Sequence, residues 1–146
     1  MNRTEEIISL IPNNARVLVI KNETFSEQLQ ATKKVEVSNS LEDISQNFYD
    51  VTVAINFLDN LPSPEQIIKG IRRALKPSGV FYVAVDTRVL PMEKLILLLN
   101  KCNCVYAYDL SKDGHDALFT IKYKPETKSK RYGLAIGVIA MESVPT

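Results

Sequence analysis

The sequence contains one histidine, and acidic residues lie close to it on both sides. His115 precedes Asp116 and lies two positions after Asp113. Imidazole exchanges a proton near neutral pH, and a carboxylate beside it can orient the ring, so this group would suit a general base. A polar loop without catalytic function accounts for the same residues, and we favour that interpretation.

Two cysteines, Cys102 and Cys104, form a Cys-x-Cys pair. Their thiolates could bind a metal, but structural zinc and iron–sulfur sites use about four protein ligands, and no others converge in the sequence. Cysteines this close cannot form a disulfide that closes a loop. We therefore expect packing residues, no bound metal, and a protein of the reducing cytoplasm or the nucleus.

A basic run near the C-terminus is interspersed with Tyr123 and Tyr132 and comprises Lys122, Lys124, Lys128, Lys130 and Arg131. Such a run could contact RNA or an acidic partner. The whole chain has 18 Lys and Arg residues against 17 Asp and Glu residues, so no global field attracts nucleic acid or anionic lipid. We favour a solvated linker and expect a protein partner rather than nucleic acid or a membrane.

Alternating strands and helices must position these groups. Apolar runs typical of buried parallel strands occur at 15–20, 49–55 and 80–85. A shorter strand is expected at 34–37, and helical patterns occupy 4–10, 25–31, 64–75 and 91–102. The last two strands, 104–108 and 117–123, form a hairpin. This order predicts an α/β fold with three layers and a doubly wound, mostly parallel sheet that ends in an antiparallel hairpin.

Local signals refine the boundaries of these elements. Thr4 is the predicted N-cap of the first helix. Ser63 is the predicted N-cap of the third, with Pro64 at its first position and Gln66 completing a capping box. Gly79 is expected to supply the unusual backbone angles with which the chain re-enters the sheet after that helix.

The segment 41–85 resembles class I S-adenosylmethionine-dependent methyltransferases. Its pieces at 47–53, 57–62 and 71–79 resemble the fourth strand, its loop and the turn into the fifth strand, and the sharpest match is Leu75-Lys76-Pro77-Ser78-Gly79. The resemblance covers roughly residues 10–124 and implies a Rossmann-like methyltransferase fold. We expect a methyltransferase-like domain over 1–124, then a basic linker and an apolar tail over 125–146, the tail being an added strand or a partner-binding strand.

The resemblance also implies a glycine-rich turn after the first strand, where the backbone approaches the methionine and ribose of the cofactor. Here the turn reads Lys21-Asn22-Glu23-Thr24-Phe25-Ser26, and the first glycine of the chain is Gly70. The family also implies an acid at the end of the second strand, but Glu36 falls inside the strand, one position from the expected place. We expect no cofactor and no catalytic residues.

The loop after the strand at 49–55 lies at the carboxyl end of the sheet, where open α/β folds bind ligands. Asn56 and Asp59 could be remnants of a methyl-acceptor site, although a loop that simply closes the sheet is the favoured interpretation. Phe57 and Leu58 fit either a core position or an exposed anchor for a partner, and the sequence leaves both open.

Three functions remain possible from the sequence. The first is a non-catalytic protein-interaction domain, similar to the N-terminal domain of the anamorsin family of cytosolic iron–sulfur assembly factors, which lacks the glycine turn and keeps a Leu-Lys-Pro-(Ser/Gly)-Gly turn. The cysteine-rich region of that family has no counterpart in these 146 residues. The second is a divergent methyltransferase, or the inactive subunit of a heteromeric one. The third is a nucleic-acid accessory protein that uses the basic run.

Overall fold

The computed structural model describes residues 2–39 and 46–125. In chain order its elements are α1 (Arg3–Leu10), β1 (Arg16–Val19), α2 (Glu23–Thr32), β2 (Glu36–Ser38), β3 (Tyr49–Ile55), a 3-10 helix (Leu58–Asn60), α3 (Glu65–Ala74), β4 (Leu75–Asp86), α4 (Met92–Lys101), β5 (Cys104–Leu110) and β6 (Asp116–Tyr123). None of the helices in the described part of the chain has the length and hydrophobicity of a membrane span.

The described strands form one sheet in the order β2-β1-β3-β4-β6-β5. The pairs β2–β1, β1–β3 and β3–β4 are parallel, whereas β6 runs antiparallel to both β4 and β5. The predicted α/β fold, with a mostly parallel sheet and a C-terminal hairpin, is confirmed. The strand order reverses between β1 and β3, and the carboxyl ends of these two strands therefore border the crevice where such folds bind ligands.

Two layers of helices cover the two faces of the sheet. Side chains of α1 and α2 pack on one face, against alternate residues of β1 such as Val17 and Val19. Side chains of α3 and α4 pack on the other face, where Leu18 and Ile20 are buried. Because β1 is buried on both faces, it reads as a continuous apolar run rather than as an alternating one.

Two predicted helix caps are wrong. Asn2, not Thr4, caps α1: its Oδ1 accepts the backbone N–H of Glu5 at 2.8 Å, and the Glu5 carboxylate accepts the N–H of Asn2. The capping box predicted for α3 is also wrong, because Pro64 occupies the N-cap position and no side chain caps the helix. Ser63 therefore lies one residue too far from the first turn to bond its N–H groups.

The predicted role of Gly79 is wrong as well. The chain enters β4 at Leu75, its pairing with β3 is interrupted between Leu75 and Val80, and Gly79 lies in this interruption without a left-handed φ. What excludes a side chain is space, since a Cβ atom on Gly79 would lie 2.9 Å from Cδ2 of Leu75 and 3.0 Å from the backbone oxygen of Lys76. The turn after α3 therefore selects glycine by close packing and not by backbone angle.

One arginine joins α1 to the hairpin at the far side of the sheet. The Arg3 guanidinium donates to the carboxylates of Asp116, Asp109 and Glu6 and to the backbone oxygen of Asp109 at 2.8 Å. Its side chain is 19% exposed, so the ion pairs are partly shielded from water. Arg3 thus fixes the β5–β6 hairpin to the helix that covers the opposite part of the sheet.

Gly79→Ala is expected to lower the free energy of unfolding by about 1–3 kcal/mol, because the new methyl group must displace Leu75 or the backbone of Lys76. Gly70→Ala is the matched control. A Cβ atom there meets nothing within 4 Å, so alanine should raise the stability by up to about 1 kcal/mol through its helix propensity. Denaturant unfolding of both variants measures this, and equal effects at the two positions would contradict the packing explanation.

Candidate functional site

The candidate site is the carboxyl edge of the sheet at the ends of β1 and β3. The two strands are joined there by a bond from the N–H of Ile20 to the oxygen of Val53, at 2.9 Å. Each strand leaves the sheet through a residue with left-handed backbone, Lys21 with φ 47° and Asn56 with φ 52°. Glycine adopts this conformation freely, whereas a lysine there costs about 1–2 kcal/mol.

The first turn of α2 is closed by the chain's own polar groups. The Oδ1 atom of Asn22 accepts the backbone N–H of Phe25 at 3.0 Å. The buried Ser26 hydroxyl donates to Oδ1 of Asn39, at 2.6 Å, and lies 3.2 Å from the backbone oxygen of Asn22. Glu23 adds a negative charge in the same turn. A helix N-terminus can bind an anionic group only through free N–H donors, and here a side chain has taken one of them.

A lysine side chain reaches across the crevice. The Nζ atom of Lys21 lies 6.0 Å from the centroid of the Phe57 ring, which belongs to the loop after β3. This distance permits a cation–π contact. The resemblance found in the sequence implies glycines at this turn. In this chain a long side chain extends from the end of β1 towards the loop after β3 instead.

Glu36 lies at the wrong end of β2 to bind the ribose of a cofactor. It pairs in register with Arg16 at the start of β1, and its carboxylate lies 3.4 Å from Nε of that arginine. The sequence prediction began the strand too early. The carboxyl end of β2 carries the neutral residues Ser38 and Asn39.

The loop after β3 is tied to the end of β4. The backbone N–H of Asn56 donates to the oxygen of Ala84 at 2.7 Å, and Oδ2 of Asp59 accepts the N–H of Asp86 at 2.9 Å. Asp59 is 9% exposed, and its Oδ1 has no hydrogen-bond partner among the described residues. Leu58 is a core residue, whereas Phe57 is half-buried. Asn56 is exposed, so the carboxylate of Asp59 is the buried polar group of this loop.

A groove with a volume of about 510 Å³ opens beside Asp59, between the 3-10 helix and α4. Leu61, Val89 and Leu97 contribute apolar surface to it. Glu65 lies at its margin, where its carboxylate contacts Nζ of Lys69 at 2.7 Å and of Lys101 at 3.1 Å. Hydrogen bonds from these two lysines lower the pKa of Glu65.

His115 does not meet the geometry of an oriented general base. Its Nδ1 lies 3.7 Å from Oδ2 of Asp113, too far for a hydrogen bond, while its backbone N–H donates to the other carboxylate oxygen at 2.9 Å. Asp116 contacts Arg3 instead of the imidazole. The predicted trio is therefore a turn, in which Asp113 bonds the backbone.

Cys102 and Cys104 are both buried free thiols. Burial raises the pKa of Cys104 to about 12 and raises that of Cys102 above its usual value. Within residues 2–39 and 46–125, no three His, Cys, Asp or Glu side chains come together as a metal site would require. These two residues belong to the cluster that α4 packs onto the sheet.

Sequence profiles place the chain among known families. The profile described as "Methyltransferase domain" matches residues 9–83, which is 75 of 146 residues and just over half of the chain. The chain belongs to the methyltransferase domain family. A search of curated protein sequences gave no significant match.

Solved structures show the same fold at low sequence identity. The cyclase SpnF superposes with a TM-score of 0.71 at 12% identity, covering 84% of this chain and 80% of that one. A SAM-dependent methyltransferase from Aquifex aeolicus gives 0.65 at 12% identity, with coverages of 82% and 89%. A chain from a complex between the Haloferax volcanii Trm112 methyltransferase activator and a candidate methyltransferase gives 0.66 at 11%, with coverages of 86% and 90%. Methyltransferase-family proteins thus share this fold with a protein described as a cyclase, and the fold alone does not define the reaction.

Replacing Asn22 tests the closed turn. Asn22→Ala should lower the free energy of unfolding by about 1 kcal/mol, because the N–H of Phe25 loses its acceptor. Asn22→Ser, which keeps an acceptor oxygen, should stay close to the parent protein in denaturant unfolding. If the alanine variant were as stable as the parent, Asn22 would not be a functioning cap.

The cysteines should be unreactive in the folded protein. Because the thiolate is the nucleophile, a thiol with a pKa near 12 should react with iodoacetamide at pH 8 roughly a hundredfold or more slowly than the same thiol in concentrated guanidinium. Mass spectrometry of the Cys102→Ala variant reports Cys104 alone. Rapid labelling of the folded variant would show that Cys104 is accessible and ionised.

Proposed function

We propose that this chain is a non-catalytic member of the methyltransferase family, a domain that retains the fold, no longer binds S-adenosylmethionine, and acts by binding another protein. The observation that carries the proposal is the turn from β1 into α2, where Asn22 caps the helix and Lys21 extends towards Phe57. The proposal assigns no catalytic residue to the chain.

The turn argues against the cofactor for a steric and a chemical reason. A cofactor that lies along the end of β1 needs close approach to the backbone, and in place of glycine this turn carries Lys21 and Asn22, whose Oδ1 accepts the N–H of Phe25. The ribose hydroxyls need acceptors at the end of β2, and Ser38 and Asn39 offer no carboxylate there. The Oδ1 atom of Asn39 already accepts the hydroxyl of Ser26.

Two similarities to other proteins support a protein partner and a cellular process for this chain. One neighbour of similar fold comes from a complex with an activator protein, which supports a protein partner for this chain. The Leu75–Gly79 turn and the glycine-free turn after β1 resemble those of the anamorsin family, and on this resemblance we propose a role in cytosolic iron–sulfur assembly. The domain spans 1–124 in this proposal, and 125–146 supply a linker and a tail.

Calorimetric titration with S-adenosylmethionine and with its demethylated product tests the proposal. We expect no heat of binding and no rise in melting temperature at millimolar ligand, because a ligand that binds the folded state must stabilise it. A methyltransferase of known affinity is the positive control. Binding near micromolar affinity would contradict the proposal.

A divergent methyltransferase is the second candidate, and one observation favours it. The unpartnered Oδ1 of Asp59 lies beside the groove between the 3-10 helix and α4, where a methyl acceptor could enter. If the chain transfers methyl groups alone or with a second subunit, Asp59→Asn should abolish the activity, while Asp109→Asn on the opposite side of the sheet should not. If the parent protein itself transfers no methyl group, alone or with a second subunit, only the first proposal remains.

A further inference from the structure

Within the described residues the sheet has two edge strands, β2 and β5, and β5 is the longer of the two. Within the described residues, β5 pairs on one side only, with β6. The N–H of Ser111 donates to Asp116 at 2.8 Å, and the N–H of Lys124 donates to Asn103 at 3.0 Å, which fixes the register of the hydrogen bonds. Odd-numbered residues of β5 therefore bond to β6, and the even-numbered ones direct their backbone N–H and C=O groups outwards.

Among the described residues, this edge has little of the usual protection against pairing. The strand contains no lysine, arginine or proline, and its one charged residue is Asp109, which is 69% exposed and contacts Arg3. Its exposed apolar side chains are Val105 at 48%, Tyr108 at 49% and Leu110 at 44%. An exposed, unprotected strand of this kind is a ready template for another strand.

We propose that β5 pairs antiparallel with β5 of a second copy of this chain, about a two-fold axis at Ala107. The proposal goes beyond the proposed function and does not rest on it. In this register Tyr106 lies opposite Tyr108 of the second copy, and Cys104 lies opposite Leu110. The backbone N–H and C=O groups of all four residues point away from β6. Each copy therefore offers hydrogen-bond donors and acceptors where the other copy needs them, and the two sheets join into one.

The side chains of the strand fit this self-pairing. On one face the register creates two tyrosine–tyrosine pairs, and such cross-strand aromatic pairs are favourable. Both rings are already held by Phe119, with centroid distances of 6.0 and 5.4 Å, so little side-chain freedom is lost on pairing. On the other face Asp109 lies opposite Val105, so no like charges meet. Ala107, at the axis, faces its own copy.

The register makes a specific demand on Ala107, which is exposed in the single chain. Ala107→Lys places two ammonium groups opposite each other at the axis, and Ala107→Glu places two carboxylates there. Each variant should fold normally, by circular dichroism and melting, and should weaken dimerisation roughly tenfold or more. An equimolar mixture of the two variants pairs lysine with glutamate and should recover the dimer as a heterodimer.

Sedimentation equilibrium of the full chain measures this. The parent protein should show twice the 16.4 kDa mass of one chain at micromolar concentrations, each variant alone should be monomeric, and the mixture should be dimeric. Leu97→Lys, which places the same charge on an exposed apolar position of α4, should leave the dimer unchanged.

Two results would overturn the proposal. A parent protein that stays monomeric at all concentrations would show that β5 does not self-pair, whether its edge is covered by the tail of the same chain or left free. A dimer that persists in both single variants, or that the mixture fails to restore, would place the contact elsewhere.

Discussion

The parallel pairing of β1 with β3 is the constraint on which the rest of the molecule depends. The reversal of strand order between them creates the crevice at the carboxyl edge, and both strands must leave the sheet there within one residue. A glycine would make that exit without strain and leave the backbone open. This chain uses Lys21, with a left-handed backbone, and then Asn22 as a helix cap. In our proposal, the contacts that stabilise the fold at this point also hinder the approach of a cofactor.

The carboxyl edge of the sheet and its edge strand β5 differ in how many of their polar groups have hydrogen-bond partners. At the carboxyl edge, Asp59 bonds the backbone of Asp86, Ser26 bonds Asn39, and Lys21 faces Phe57. Among the described residues, the outward N–H and C=O groups of β5 have no strand partner, and Val105, Tyr108 and Leu110 are exposed. This difference is one reason for our proposal that the chain binds another protein.

The sequence predicted the strands and the order of elements well, because burial on both faces leaves a clear apolar run in β1, β3 and β4. It could not identify the N-cap residues of α1 and α3. Asn2 and Thr4 are both good N-caps, and Pro64 is compatible with either of two positions at the start of a helix. The role of Arg3 was hidden because its partner Asp116 lies 113 positions away in sequence. Gly79 was marked as special, but only the packed structure shows that the reason is space.

For the candidate site, the sequence revealed the missing glycines but not what replaced them. An asparagine directly before Glu23 at the start of a helix is a recognisable cap signal, and it could have predicted the closed turn. The approach of Lys21 to Phe57 depends on the pairing of β1 with β3 and has no local signal. Glu36 was misplaced because a three-residue strand has no periodicity from which to fix its start.

Backbone amide NMR spectra of the full chain, recorded with rising concentrations of the demethylated cofactor product, test the central claim most directly. The closed turn predicts that the amide resonances of Lys21 to Ser26 and of Asn39 keep their positions up to millimolar ligand. Saturable shifts confined to those residues and to the loop after β3 would show that the crevice opens for the cofactor, and would contradict this account.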